Sequence, residues 1–526
     1  MSRSGNSTLV FETGTLSGSG LGEASMTLTL ASQRGLVLGF AVMGSIVLSA
    51  IIILTYGNLA AAYSFLGAFA VALISFYRLD VGLDMLVGLV LFFDEFDIPG
   101  FYAWTLSAGY FANLKESSYL MGSEWAVMNP FELHLFLLFF IWLLVVCLRR
   151  NVRFTPVTLW PSLAVMLLWM VVSLALGLQR GGDFLPALWE IRAMFYFALV
   201  FAFVPQVIES KAQIRTLLWV MIAAISIKAF QAIARYILGG FTTQGYPTLT
   251  NHEDPVFMTT LVILLLAFLL FRSGGSQKAA LLALLGPLHL GFFLGQRRAA
   301  YASGAASLAV FFVLLSKEER RRLLKNSAPA ILLFSLYCAV MWNSESRWAM
   351  PVKLVKSGFS NDRETAGERF YSNLYREHEK YDLAITVRNA PTIGIGFGKQ
   401  YDQPIKLVPI PFTLRDYIPH NQILWLIVKM GGVGFFLFWL FFDGIVYRGA
   451  SMVSRLQDPY LKAVCVMAVA AVVNQMVTSY YDLQLTYYRN MIYLAALLGL
   501  LPAIRNLDPG LSGNPDAERA DEGEEI

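Results

Sequence analysis

Residues 419–435 read PHNQILWLIVKMGGVGF, a histidine and an asparagine at the lip of an apolar run that closes on a cluster of glycines. A run this apolar, reached directly from a polar segment, predicts a helix that starts at a membrane surface and continues inwards. Polar groups at such an edge are costly to hold in place, which makes His420 and Asn421 functional candidates. Gly431, Gly432 and Gly434 lie about three turns deeper, where small residues let helices approach closely. Alone, the histidine is equally a helix-start residue satisfied by backbone groups, so the rest of the chain has to decide.

The 526 residues are 56% apolar and only 14% charged, with mean hydropathy +0.57, far outside soluble composition. The composition predicts an all-α polytopic membrane protein. A net charge of +4 is small for this length and makes no case for nucleic-acid binding. Cys147, Cys338 and Cys465 all fall inside apolar runs, which argues against a disulfide framework. Residues 1–34 are rich in Ser, Gly and Thr and lack a basic stretch running into an apolar core, so no cleaved signal peptide is expected and the segment reads as a disordered cytoplasmic tail.

A spanning helix needs roughly 20 apolar residues, and about fourteen (12 to 14) stretches qualify. They lie near 35–57, 59–77, 81–93, 131–148, 156–178, 186–206, 215–237, 257–271, 278–296, 299–316, 327–343, 421–445, 460–480 and 486–504. The third is short and carries Asp84; parity keeps it, because without it the two tails would lie on opposite sides. The chain thus divides into a tail (1–34), eleven spans (35–343), a large loop (344–420), three spans (421–504) and an acidic disordered tail (505–526).

The clusters Arg149/Arg150/Arg153, Lys211/Arg215, Arg272/Lys278, Lys317 to Lys325 and Arg448/Arg455/Lys462 fall on one side, which the positive-inside bias makes cytoplasmic. Segments 94–130, 238–256 and 344–420 then lie outside. The last carries eleven Lys/Arg against nine Asp/Glu, and long translocated loops are exempt from the bias. Within it, residues 362–388 predict an amphipathic helix on the membrane surface with Phe370, Leu374 and Tyr381 towards lipid, or a solvated helix with paired charges.

The spacing His420, Asn421, nine residues, Gly431, two residues, Gly434 resembles the signature of the O-antigen ligase and O-antigen polymerase (Wzy-type) superfamily. Two further blocks resemble that family. Arg376 is followed by Pro391 and TIGIGFG, like the family's loop arginine and Pro-x-x-Gly-x-Gly turn. Arg297 and Arg298 in GQRRAAYASG stand where the family has Ser-Arg-Gly, with Gln296 in place of the serine. The doubled arginine leaves its register open, and Arg369 competes with Arg376 for the loop position.

The resemblance implies a GT-C-like membrane glycosyltransferase that moves an oligosaccharide from an undecaprenyl diphosphate carrier to a sugar hydroxyl at the periplasmic face of the bacterial inner membrane. Diphosphate is already a good leaving group and needs charge stabilisation, which bidentate arginines supply without a metal or other cofactor. A histidine near the attacking hydroxyl would serve as general base in an inverting displacement. On this reading His420, Arg298 and Arg376 are catalytic, and Arg297, Arg369, Asn421 and Arg192 bind substrate. Asn421 could instead cap its helix, and Glu190 and Arg192 in WEIRAMF could pair structurally.

Weaker candidates are NHED (251–254) as a cation site, Asp482 and Arg489 as lining of a sugar groove, and Lys228, Arg235 and Lys429 as snorkelling or paired residues. Polymerisation of repeat units of a surface or exopolysaccharide, beside a flippase and a chain-length regulator, is preferred on span number. Ligation to lipid A-core is the alternative. A flippase or permease is the rival from another class, disfavoured because the chain shows no internal repeat.

Overall fold

A computed structural model describes residues 30–512 except 55–56, 58, 99, 102, 115–126, 149–153, 243–245, 247, 345, 350, 354–355, 357–368 and 411. The described residues are helical, without strands. They form α1 (Leu30–Leu54), α2 (Leu59–Tyr77), α3 (Leu79–Phe92), the short α4 (Trp104–Ser107), α5 (Pro130–Leu148), α6 (Trp160–Gln179), α7 (Phe184–Val207), α8 (Lys211–Leu238) and α9 (Asp254–Leu270). After these come α10 (Gly275–Leu294), α11 (Arg298–Leu314), α12 (Lys317–Met341), α13 (Arg369–Asn389), α14 (Gln422–Arg455), α15 (Pro459–Tyr481), α16 (Tyr488–Leu507) and α17 (Pro509–Ser512). Each of the fourteen apolar stretches falls on a helix. Helix α1 starts at Leu30, inside the segment expected to be a tail.

Nine helices among the described residues are long and apolar enough to cross a membrane. Four shorter apolar helical stretches, Ala41–Ile53, Phe65–Tyr77, Asp254–Leu270 and Arg298–Leu314, accompany them. Helix α3 has only 14 residues and buries Asp84 within it. On α12 no residue is buried, and Ile331, Leu332, Leu333, Phe334 and Val340 are exposed, a surface that water would not tolerate.

The chain separates into two compact units, residues 1–70 and 71–526. In the first, Gly44 meets the Phe69 ring, which would lie 3.0 Å from an added Cβ. In the second, α16 packs on α7, α15 on α9, α11, α14 and α16, α8 on α3 and α10, and α6 and α13 on α14. Lipid tails are as apolar as leucine, so such helices associate through close packing and polar contacts rather than hydrophobic burial. That makes the buried polar pairs and the glycine contacts the informative features.

One end of this unit gathers the starts of α8, α12 and α15. Lys211 pairs with Asp458 there, and Lys462 with Glu319 at 2.7 Å. Side-chain caps explain why these helices start where they do: Ser210 with Gln213, and Ser316 with Glu319, form reciprocal capping boxes, and Asp458 accepts from Tyr460 and Leu461 N–H. At the other end lie the starts of α9, α11 and α14, the end of α15, and α13.

Candidate active site

Helix α14 is capped by Asn421, whose side-chain oxygen accepts from Leu424 N–H at 3.0 Å. Ten residues later the helix breaks at Gly431 (φ 65°, ψ −173°). The break frees the carbonyls of Val428 and Lys429 and the N–H groups of Gly432 and Val433. All four are taken up by the turn PTIGIGFG: Ile395 N–H donates to Val428 at 2.8 Å and Gly396 N–H to Lys429 at 3.1 Å. Gly432 N–H in turn donates to Pro391 at 2.8 Å and Val433 N–H to Thr392 at 3.2 Å. Each group left unpaired in the bilayer would cost several kcal/mol, so the turn and the break stabilise one another.

Gly431 therefore admits a loop backbone, whereas Gly434 lies against the Trp169 ring of the neighbouring helix α6, the close helix approach that the sequence predicts. A Cβ on Gly431 would lie 2.2 Å from the Thr392 carbonyl oxygen, and one on Gly396 2.4 Å from Gly177 of α6. Beside the break, Glu190 of α7 holds Lys429 Nζ at 2.7 Å, Trp425 Nε1 at 3.2 Å and Gly398 N–H at 2.6 Å. Lys429 also donates to the Lys399 carbonyl. This group is fully buried.

The same rigid turn carries α13 back to the start of α14. Glu379, Asp382, Leu383 and Thr386 form the buried face of α13, while Tyr371, Leu374 and Tyr381 are exposed and Phe370 is half-buried. Glu379 accepts from His420 backbone N–H at 3.0 Å and faces His420 Nδ1 at 3.1 Å. A carboxylate can only accept, so Nδ1 carries the proton and Nε2 is left as the basic nitrogen. The Tyr375 ring packs edge-on against the imidazole at 5.5 Å. Glu379 was not among the sequence candidates; its signal is its place one turn beyond Arg376 on the buried face of an otherwise polar helix.

Four other side chains meet nearby. Arg297, at the N-cap of α11, approaches Asp482 Oδ2 at 3.6 Å, and His252 Nδ1 lies 3.1 Å from the same oxygen. Arg376 acts electrostatically on both Arg297 and Asp482. Burial alone would raise the Asp482 carboxyl, but His252, Arg297 and Arg376 outweigh it and hold the group well below the usual carboxylate range. The Nε atoms of Arg297 and Arg376 are buried and meet no hydrogen-bond acceptor among the described residues. Arg298 instead donates to Asn373 Oδ1 at 2.6 Å, so the two arginines of the doublet face different partners.

Arg192 pairs with Glu132 at 2.8 Å and stacks on Trp189 at 4.1 Å, and its expected partner Glu190 belongs to Lys429. The side chain of Arg369 lies outside the described residues. Arg489 lines no groove: it is fully buried, pairs with Glu253 at 2.5 Å and Asp254 at 2.8 Å, and donates to the carbonyls of Val90 and Leu91. The acids of NHED are thus occupied by an arginine. Lys228 pairs with Asp94 at 2.7 Å, and Arg235 donates to the Leu249 carbonyl at 3.0 Å.

The fold and this cluster define a multi-pass helical membrane protein with a cationic, histidine-bearing site at one end of its bundle. Residues 259–439 match the O-antigen ligase family model (Wzy_C), and the chain carries a domain of that family. Family members are O-antigen ligase and polymerase enzymes that act on lipid-linked glycans. No curated protein matches the chain. The matched residues include Arg297, Arg376, Glu379 and His420 and leave out His252 and Asp482.

Proposed function

We propose that the protein transfers an oligosaccharide from a polyprenyl diphosphate carrier to a sugar hydroxyl, with His420 as general base. The observation that carries this is the Glu379–His420 pair: the carboxylate accepts from both the backbone N–H and Nδ1 of His420, fixing the ring with Nε2 free to take a proton. In the step itself, the acceptor oxygen bonds to the anomeric carbon as its proton passes to Nε2. The bond from that carbon to the diphosphate oxygen breaks, and the electron pair leaves with the carrier diphosphate. Arg297 and Arg376 offer permanently charged donors for that developing charge. Attack from the face opposite the leaving group inverts the anomeric configuration.

The basic clusters at the Lys211 and Lys462 end support a cytoplasmic placement for that end and a periplasmic one for the site, in the inner membrane. A fourteen-span, GT-C-like arrangement takes the nine long apolar helices, the four shorter ones and α3 as spans. Polymerisation, with a second carrier-linked glycan as acceptor, is the favoured outcome over ligation to lipid A-core.

The test is reconstitution of the full chain in liposomes with labelled carrier-linked glycan and either a second carrier-linked glycan or lipid A-core. Glycan growth on the carrier supports polymerisation, and transfer to lipid A-core replaces it by ligation. Carrier crossing the bilayer with no transfer to either acceptor overturns the enzyme reading in favour of a flippase. Retention of the donor's anomeric configuration in the product overturns single displacement.

A further inference from the structure

His252 lies immediately before α9, outside the family-matched residues, and the reading of NHED as a cation site gave it no separate place. The structure separates it from its acidic neighbours. Glu253 and Asp254 turn to Arg489, whereas His252 turns to Asp482, 230 residues away. The oxygen that faces its Nδ1 at 3.1 Å is the one Arg297 approaches at 3.6 Å. The ring also meets Tyr487 edge-on at 6.4 Å, yet a third of the side chain (33%) stays exposed. A histidine needed only to pack would be covered; this one is held from one side and open on another.

We propose that His252 is a further ligand for the carrier's diphosphate, beside Arg297 and Arg376, with Asp482 as the carboxylate that aims it. The proposal rests on the reading of the site given above. Asp482 can only accept, so Nδ1 carries the proton and Nε2 is the atom left for a ligand. With two guanidiniums and one carboxylate, the cluster is already positive, which suits a diphosphate rather than a neutral sugar. To donate from Nε2 the ring must be doubly protonated, and an arriving diphosphate supplies the negative charge that favours this state. Any second proton the ring lacks beforehand comes from solvent.

The charged and titratable groups around the ring are Asp482, Arg297, Arg376, Glu253 and Tyr487. Burial raises the Glu253 carboxyl, so the share of proton uptake owed to His252 is read as the difference between His252→Gln and wild type. His420 is the other imidazole of the site, so each variant is compared with wild type.

The experiment is isothermal titration of the detergent-solubilised full chain with farnesyl diphosphate and with farnesyl monophosphate, in two buffers of different ionisation heat. In His252→Gln, diphosphate affinity should fall about tenfold, with less proton uptake and a smaller change for the monophosphate. His252→Lys should keep most of the affinity while showing the same reduced uptake, and Asp482→Asn should lower uptake as well. Thermal unfolding confirms that each variant is folded. His252→Gln with wild-type affinity and uptake overturns the role of His252 alone. Wild-type protein that binds no prenyl diphosphate overturns both this role and the reading of the site.

Discussion

Two regions of the bundle pair a cation with a carboxylate, and they differ in what is left over. At Lys429 and Glu190 every charged side-chain atom has a hydrogen-bond partner: the lysine meets Glu190 and the Lys399 carbonyl, and the glutamate also holds Trp425 and Gly398. Around Asp482, by contrast, Arg297 and Arg376 keep buried Nε atoms without acceptors, and His252 and His420 stay partly exposed. A saturated, dry pair holds backbone in place. An unsaturated, accessible cluster keeps donors that the acceptors of a ligand could meet. Burial alone ranks the first pair higher, and it is the unpaired donors that draw attention to the second.

The contrast predicts different failures. The largest is expected at the site: His420→Ala should lower transfer by about 10²–10⁴-fold, as loss of a general base does, with unchanged yield and thermal unfolding of the folded protein. Full activity in that variant would remove the base assignment. Lys429→Ala should act through stability, because it strands Glu190 in a fully buried setting. A destabilisation of about 3–5 kcal/mol, read as loss of monodisperse protein or a lowered unfolding temperature, is expected. Normal stability there would break the distinction between the regions.

Smaller effects sharpen it. Arg297→Lys should lower transfer about tenfold or more, since a point charge replaces a bidentate fork, while Arg298→Lys, which changes the partner of Asn373, should cost less. Comparable rates for the two variants would mean the doublet acts as a unit. Glu379→Gln should slow transfer roughly tenfold by loosening the Nδ1–H tautomer, with little change in donor binding. The smallest change is Asn421→Ala, which removes a helix cap and should cost about 1 kcal/mol of stability, leaving the rate per folded molecule near wild type.

Much of the helical layout was legible because each apolar run is local: composition over roughly 20 residues decides that a segment is helical and apolar. His420, Arg376 and the arginine doublet were legible because the family spacing is linear in the chain. Their partners were not. Glu379 is 41 residues from His420, and Asp482 is 230 from His252, separations at which no periodicity operates. Arg192 and Glu190 illustrate the reverse case, since two charged residues two apart point to different sides of a helix and found separate partners, Glu132 and Lys429. Of the motif glycines, Gly434 meets the helix α6 as expected, while Gly431 admits a loop instead. Their spacing fits helix contact as well as loop insertion, and only the φ of 65° at Gly431 with Thr392 against it separates the two.

The amino-acid sequence by itself determined a helical membrane chain, the ends at which its charges collect, and the histidine and arginines worth watching, because hydropathy and motif spacing are properties of neighbouring residues. Only the tertiary structure decided which arginine of the doublet joins Asp482, that Glu379 aims His420, and that a glycine turn fills a broken helix. Those outcomes depend on which donors and acceptors are left unpaired once distant helices have packed, and that is settled in space rather than along the chain.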